Sequence, residues 1–395
     1  MTAGALEGLA AERAALEPEL REVRRALHRR PELAFAEHRT AELVAVRLRR
    51  LGLAPRTGIA GTGVMADLDT GRAGPTLLLR AELDALPVQE RAGRPYGSAV
   101  PGVMHACGHD AHVSALLGAA ALLVRRAPAL TGRVRLLFQP AEELGAGAAA
   151  AIAAGALDGV DEAVSAHVVT DFPFAVIGLR EGETALGVDL FALTVAGQGR
   201  HSAALQRRRD PVLAAAQVVT RLQSAVPDSA RPEETLTVAS LQGGTAANVV
   251  ADAVTLRGSL RWLQPAVRAQ ALARMREIAE GVCGELGVTY ELSISASVPV
   301  LRCAGAPTAL LARAAADAGA RMVFDPGVIP GSDDFAHIAE RVPSAFAAVG
   351  AGGKGCGPHH SPDFDIDERS IGLMAEILTR AVISRLLSPE PAQWS

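Results

Sequence analysis

Eight residues, His105-Ala106-Cys107-Gly108-His109-Asp110-Ala111-His112, gather three imidazoles, a thiol and a carboxylate in an otherwise alanine-rich stretch of chain. Neutral imidazole and thiolate are the ligands that borderline-soft divalent ions take, so this density reads as the floor of a metal site. The apolar run over 111–126 predicts a helix with Asp110 as its N-cap. Cys107 and His109 then fall in the loop that enters the helix. Two residues apart on a continuous helix they would face different ways, whereas a loop can turn both toward one ion. The helix N-terminus also favours the thiolate form of Cys107. The alternative for the octapeptide taken alone, a buried cysteine among ordinary histidines, is the weaker reading.

Two further stretches carry chemistry at strand ends. Gln139-Pro140-Ala141-Glu142-Glu143 follows an apolar strand expected over 133–138. Adjacent carboxylates leaving a strand can diverge, one binding a cation while the other faces a bound water, which is what metal-assisted amide hydrolysis requires. A charged surface turn is the alternative. His167 follows a strand expected over 163–166, and Arg80-Ala81-Glu82-Leu83-Asp84-Ala85-Leu86-Pro87 follows one expected over 76–80, at the sheet edge where α/β proteins hold ligands. Glu82 reads as a carboxylate supporting the metal site from behind its ligands, or as a solvated acidic turn.

These motifs together resemble the M20 metallopeptidase superfamily. Within it they resemble the amidohydrolase branch, subfamily D, that cleaves N-acyl amino acids, hippurate-like amides and amino-acid conjugates of the auxin IAA. The resemblance runs from Leu27-His28-Arg29-Arg30-Pro31-Glu32-Leu33 to His360-Ser361-Pro362-Asp363-Phe364-Asp365-Ile366-Asp367-Glu368. It implies Cys107, His109, Glu143, His167 and His360 as metal ligands, Cys107 as the bridge between two ions, and Glu142 as general base and then acid. It also implies His201 as the group that polarises the amide oxygen, often across a dimer, and Asn248 and Arg261 as substrate contacts. Five S, N and O donors from separate loops exceed one tetrahedral structural zinc and suit two divalent ions. Imidazole and thiolate favour zinc, while carboxylate participation leaves manganese, cobalt or nickel open. A guanidinium at Arg261 would grip a substrate carboxylate through two parallel hydrogen bonds.

The chain departs from the family pattern in places. Glu82 stands where Asp is common and Asp333 where Glu is usual, and His359 occupies a position that is usually apolar. The segment after His201 lacks the customary Pro-His pair, and Val250-Ala251-Asp252 replaces Ile-Pro-Asp. His28 reads as a packed histidine rather than a ligand, and Asp333 as a site-lining residue. The glycines before Lys354 lack the spacing of a phosphate-binding loop.

The elements that must position these residues follow from periodicity. Helices are expected over 6–30 and 40–51, strands over 63–69 and 76–80, and an Ala/Gly-rich helix over 146–156. From 188 the order changes to βαββαβ, with strands over 188–196, 235–241, 249–262 and 288–294 and helices over 211–224 and 265–286, the pattern of a ferredoxin-like insert. The fold class is therefore α/β: a zinc-peptidase-like catalytic domain with a mixed sheet over 1–186 and 297–395, and a lid and dimerisation domain over 187–296. The hinges are expected over 180–184 and 295–303, and a last helix over 368–387 closes the catalytic domain. A length of 395 residues suits two domains.

A net charge of −4 and 3 % aromatic residues exclude a basic, base-stacking nucleic-acid surface. The N-terminal stretch lacks the apolar core of a signal peptide, the apolar run 111–124 is too short for a membrane span, and four scattered cysteines read as free thiols in a reducing cytoplasm. The expected partner is a small N-acyl amino acid or short peptide, with a homodimer implied by the resemblance. The expected function is metal-dependent hydrolysis of a linear amide bond. Dipeptidase or carboxypeptidase action is the alternative, and a non-catalytic ligand-binding member lies further off.

Overall fold

A computed structural model describes residues 6–91, 93–199, 201 and 209–387. In chain order the first elements are α1 (Leu9–His28), α2 (His38–Arg50), β1 (Arg56–Ile59), β2 (Gly63–Asp69), β3 (Thr76–Glu82), α3 (His109–Val124), β4 (Arg133–Gln139), α4 (Gly147–Ala153), β5 (Glu162–Pro173), β6 (Val176–Leu179) and β7 (Gly182–Ala185). There follow β8 (Gly187–Ala196), α5 (Pro211–Leu222), β9 (Thr235–Gln242), β10 (Ala253–Trp262), α6 (Pro265–Leu286) and β11 (Thr289–Val298). The chain continues with β12 (Leu301–Cys303), α7 (Gly305–Asp317), β13 (Arg321–Phe324), α8 (Ala336–Ala339), β14 (Ser344–Gly352) and α9 (Arg369–Leu386).

The chain divides into two compact units. The larger comprises Met1–Thr184, Leu301–Val328 and Asp333–Ser395; the smaller comprises Ala185–Val300 and Ile329–Ser332. In the larger unit an eight-stranded mixed sheet runs β1-β2-β4-β3-β5-β14-β6-β13. Its centre is parallel, with β3 between β4 and β5 and β14 beside β5. Strands covered on both faces should be apolar throughout rather than alternating, and β3 and β14 are buried at every position.

Helix α3 is buried at every residue from His109 to Ala120, which explains why its sequence shows apolar residues on all sides instead of a stripe. It lies against α1 and α9, and Gly118 permits the approach: a Cβ there would meet Leu20 Cδ1 at 2.8 Å and Ala375 Cβ at 3.1 Å. Among the described residues no helix is long and apolar enough to cross a membrane.

The smaller unit carries the four-stranded antiparallel sheet β11-β8-β10-β9 with α5 and α6 against it, in the order β8-α5-β9-β10-α6-β11. Its core is Phe191, Leu193, Val195, Val218, Leu256, Ile278 and Val282. The remote segment Ile329–Ser332 joins this unit because Leu186 N–H donates to the carbonyls of Ile329 (3.3 Å) and Gly331 (3.0 Å). The stretches expected as hinges contain β7 and β12, which pair as a two-stranded ribbon.

Three local expectations are corrected, and one strand was not expected. Helix α3 starts at His109, two residues earlier than its apolar run; its N-cap is Gly108 in the left-handed region (φ +88°), and Asp110 lies in the first turn. Asp110 is drawn away from capping by Arg24 Nε at 3.0 Å and His28 Nδ1 at 2.7 Å, both of which donate to its Oδ2. His167 sits in the middle of β5 rather than beyond a strand end, because β14 pairs alongside from Ser344↔Ala163 to Gly352↔Pro173. Strand β10 begins at Ala253, with Val249 bridged instead to His201. Strand β1, a short partner of β2, was not evident from composition.

Candidate metal centre

The parallel strands β3 and β4 end side by side, with Glu82 in register with Gln139. The segments that leave them, the first turn of α3, mid-β5 and the loop before α9 converge at this edge, where open α/β sheets hold ligands. Gly108 makes the turn into α3 possible: φ is +88° and a Cβ would collide with Val168 Cγ2.

Around Cys107 the ligand atoms form two groups that share its sulfur. One is Cys107, His109 and His167; the other is Cys107, Glu143 and His360; in each, all ligand atoms lie within 4.8 Å of one another. Cys107 Sγ is 3.5 Å from His167 Nε2. That matches the edge of about 3.5 Å between a sulfur and a nitrogen bound tetrahedrally to one zinc. His360 Nε2 lies 3.6 Å from Glu143 Oε2.

The tautomers are set from outside the cluster. His109 Nδ1 donates to the Asp84 carbonyl at 2.8 Å and His167 Nδ1 to the Val168 carbonyl at 2.7 Å, so both rings turn a lone pair on Nε2 inward. His109 Nε2 and Glu143 Oε1 are buried with no hydrogen-bond partner. Two inward acceptors left unsatisfied beside a thiol are what a cation would complete, so the residues fit the ions that their chemistry suggests.

Without a cation, the electrostatics are those of buried groups crowded together. Burial, together with Asp333 and Glu143, holds the Glu142 carboxyl well above the ordinary carboxylate range. Burial and the Glu143 carboxylate push the Cys107 thiol up, and burial with His112 keeps His167 far below the usual histidine value. His109 is pressed down by burial but carried well above its ordinary value by Asp84, Cys107 and Glu82. A bound cation inverts this local logic by favouring thiolate and carboxylate.

Peptidase family M20/M25/M40 matches this chain over residues 78–384, a span that contains every residue of both groups. The chain belongs to the M20 family. It is 37 % identical over 358 residues to the N-acetyl-L-cysteine deacetylase of Bacillus subtilis, covering 90 % of this chain and 85 % of that one. It is 33 % identical over 363 residues to thermostable carboxypeptidase 2 of Saccharolobus solfataricus, covering 90 % and 92 %. Among solved structures it resembles a Bacillus subtilis protein described as a dinuclear metal-binding peptidase of the M20 family, with a TM-score of 0.80 and 32 % identity over 94 % of this chain and 99 % of that one.

Behind this M20 centre stand residues to which sequence reasoning assigned no role. Asp84 accepts the backbone N–H of Glu142 at 3.1 Å on Oδ1 and of Glu143 at 3.0 Å on Oδ2, so its carboxylate aims the Glu142-Glu143 pair. Glu82 is one step further back than expected. It accepts from His112 Nδ1 at 2.6 Å and from Arg80, and His112 Nε2 in turn accepts the Val168 N–H at 2.9 Å, next to the candidate ligand His167. Arg80 is fully buried and also reaches Asp333 (3.1 Å), Asp334 (2.7 Å) and Gln139 (2.9 Å). Asp84 and Arg80 lie in the same stretch as Glu82, so proximity in sequence was the available signal. His112 was marked only as a member of the octapeptide, and nothing marked Asp334.

His28 is a packed histidine on Asp110, and Asp333 lines the cluster with Glu142 and Asp334. His201, Asn248 and Arg261 belong to the smaller unit. His201 and Asn248 are exposed at a shared turn where His201 bridges to Val249. Arg261 donates to the Pro330 carbonyl (3.2 Å) and to Ser332 Oγ (3.3 Å). The altered segment 202–208 lies outside the described residues.

Proposed function

We propose that this protein hydrolyses the amide bond of N-acyl amino acids, using two divalent ions held by Cys107, His109, Glu143, His167 and His360. The observation that carries this reading is Glu142: a carboxyl raised far above its ordinary range, with Oε2 at 3.8 Å from the orphaned Nε2 of His109. A general base must be able to take up a proton and must stand beside the metal ligands, and it is the place of Glu142 beside His109 that supports this role.

Ions of this kind lower the pKa of a water and polarise a carbonyl oxygen. Glu142 takes the proton released as the water oxygen attacks the acyl carbon, and later returns it to the departing amine nitrogen, so one carboxyl serves as base and then acid. Asp84, by fixing the backbone on which Glu142 and Glu143 stand, keeps the two carboxylates on separate tasks. His201 hydrogen-bonds the developing oxyanion. Asn248 and Arg261 hold the amino-acid half, Arg261 through its carboxylate. Imidazole and thiolate donors favour zinc, and a thiolate ligand suits a reducing compartment such as the cytoplasm.

A homodimer accompanies this reading. Arg261 pairs with Val188 at one end of β10, while His201 and Asn248 lie beyond Ala253 at the other. Eight strand residues span roughly 27 Å, far more than an N-acyl amino acid measures. His201 and Asn248 therefore meet one substrate together with Arg261 only if the pair and Arg261 come from two copies of the chain.

Carboxypeptidase or dipeptidase action on the same centre is the second reading, favoured by the Saccharolobus relative. Comparing N-acetyl and N-benzoyl amino acids with free dipeptides decides between them. The test of the main reading is Glu142→Gln: turnover should fall by roughly 10²–10⁴-fold with metal content unchanged. Retained activity would remove Glu142 from its role, whereas wild-type protein that binds metal but turns over no substrate would favour a non-catalytic binding member.

A further inference from the structure

His359 is an additional imidazole beside the cluster, contributed by the same loop as His360 and so far given no task. Its Nδ1 lies 3.8 Å from Cys107 Sγ, and its ring stands between His167 (centroids 5.6 Å apart) and Phe364 (4.9 Å). Among the described residues, the groups of ligand atoms lying mutually within 4.8 Å include Cys107 with His109 and His167, and Cys107 with Glu143 and His360, but none with His359. The ring thus addresses the sulfur without joining the atoms that would surround an ion.

The tautomer follows from burial. His359 Nε2 is buried and has no partner. With the proton on Nε2, a buried N–H would be orphaned and the Nδ1 lone pair would face the sulfur lone pairs. With the proton on Nδ1, the N–H points at sulfur and only an acceptor is left unsatisfied, the less costly arrangement. The backbone holds this geometry, because the neighbouring His360 N–H donates to the Ala106 carbonyl at 2.8 Å and ties the His359-His360 loop to the Cys107 loop.

We propose that His359 is a positioning residue that donates an Nδ1–H hydrogen bond to the Cys107 thiolate and so tunes the sulfur shared by the two ions. Such a bond draws electron density from the sulfur, weakens its donation, and leaves the ions stronger electrophiles, as hydrogen bonds to ligating sulfur do in other metal sites. The inference rests on Cys107 being a metal ligand, as in the proposed function.

The experiment uses the full-length protein loaded with Co(II) and compares the near-ultraviolet thiolate-to-cobalt charge-transfer band in wild type, His359→Leu and His359→Asn. Removing the donor should shift the band to longer wavelength in His359→Leu with two ions still bound, and Asn, whose amide N–H can stand near the Nδ1 position, should move it back toward wild type. An unchanged band in His359→Leu would overturn the proposal, and so would loss of one ion from His359→Leu, since that would make His359 a ligand. A wild-type spectrum without any thiolate band would instead strike at Cys107 ligation itself and take this inference down with it.

Discussion

Asp84 grips His109 and the Glu142-Glu143 pair at once: its carbonyl receives His109 Nδ1–H at 2.8 Å while its two carboxylate oxygens receive the backbone N–H groups of Glu142 and Glu143. The proposed ligand on α3 and the proposed base beyond β4 are thereby held in register by one residue that touches neither a metal nor the substrate in the proposed mechanism. In Asp84→Asn one side-chain acceptor becomes an NH₂ facing a backbone donor. We expect metal affinity to fall roughly 10–100-fold, the usual effect of losing an orienting partner of a ligand, measurable by competition with a chromogenic chelator. Unchanged affinity would show that Asp84 does not orient the centre.

Glu82 and Asp333 share the guanidinium of Arg80. The two positions read from sequence as departures from the family pattern in carboxylate length, one longer and the other shorter, are therefore neighbours. Glu82→Asp and Asp333→Glu should each destabilise the fold by roughly 1–3 kcal/mol through a gap or a crowded ion pair, and the double variant should recover most of that loss. Urea unfolding of the four proteins measures the coupling; additive losses would mean that the two departures are independent.

Much of this architecture was legible in the sequence, for identifiable reasons. The insert declared itself through a change of period, since β8, β10 and β11 alternate in burial while α5 and α6 carry helical spacing. The candidate ligands Cys107, His109, Glu143, His167 and His360, and the candidate base Glu142, could be read from sequence because they sit in short motifs. What sequence did not show was partnership across the chain. That Asp110 binds Arg24 and His28 rather than capping α3, or that β5 runs on past His167, depends on α1 and β14, more than 80 and 170 residues away from these sites. The chemistry was local, while the orientation of the chemistry was not.

The Glu90 carboxylate offers a test by pH. Burial alone would raise it, but His28, the Ser98 backbone N–H and Arg94 more than compensate and hold it down at about 2, against an ordinary value of 4.5. A depressed carboxylate stabilises the folded state fully above its unfolded pKa, and that contribution is lost as pH falls toward the folded one. Metal-free wild type should therefore exceed Glu90→Gln in stability at neutral pH by roughly 2 kcal/mol, with the gap closing as pH falls between about 4.5 and 2. Unfolding followed by circular dichroism across that range checks the sign; a gap that widens in acid would refute the pairing.

Gly108 bears directly on the centre. With φ at +88° and Val168 Cγ2 in the way of a side chain, Gly108→Ala must move either the first turn of α3 or the strand carrying His167. We expect a loss of roughly 1–3 kcal/mol in stability together with weakened metal binding, read from thermal unfolding with and without added ion. A variant as stable as wild type that gains as much from the ion would show that this turn tolerates a Cβ.

The central claim is a paired-ion hydrolytic centre on Cys107, and it is met most directly by counting metal and measuring activity on one sample. Protein purified without chelator should hold about two divalent ions per chain by elemental analysis. The same sample should hydrolyse N-acyl amino acids, lose that activity on chelation and regain it on readdition of zinc or another divalent ion. Hydrolysis that survives complete removal of metal, or a chain that binds no ion and turns over no N-acyl amino acid after reconstitution with zinc, manganese, cobalt and nickel, would contradict the account.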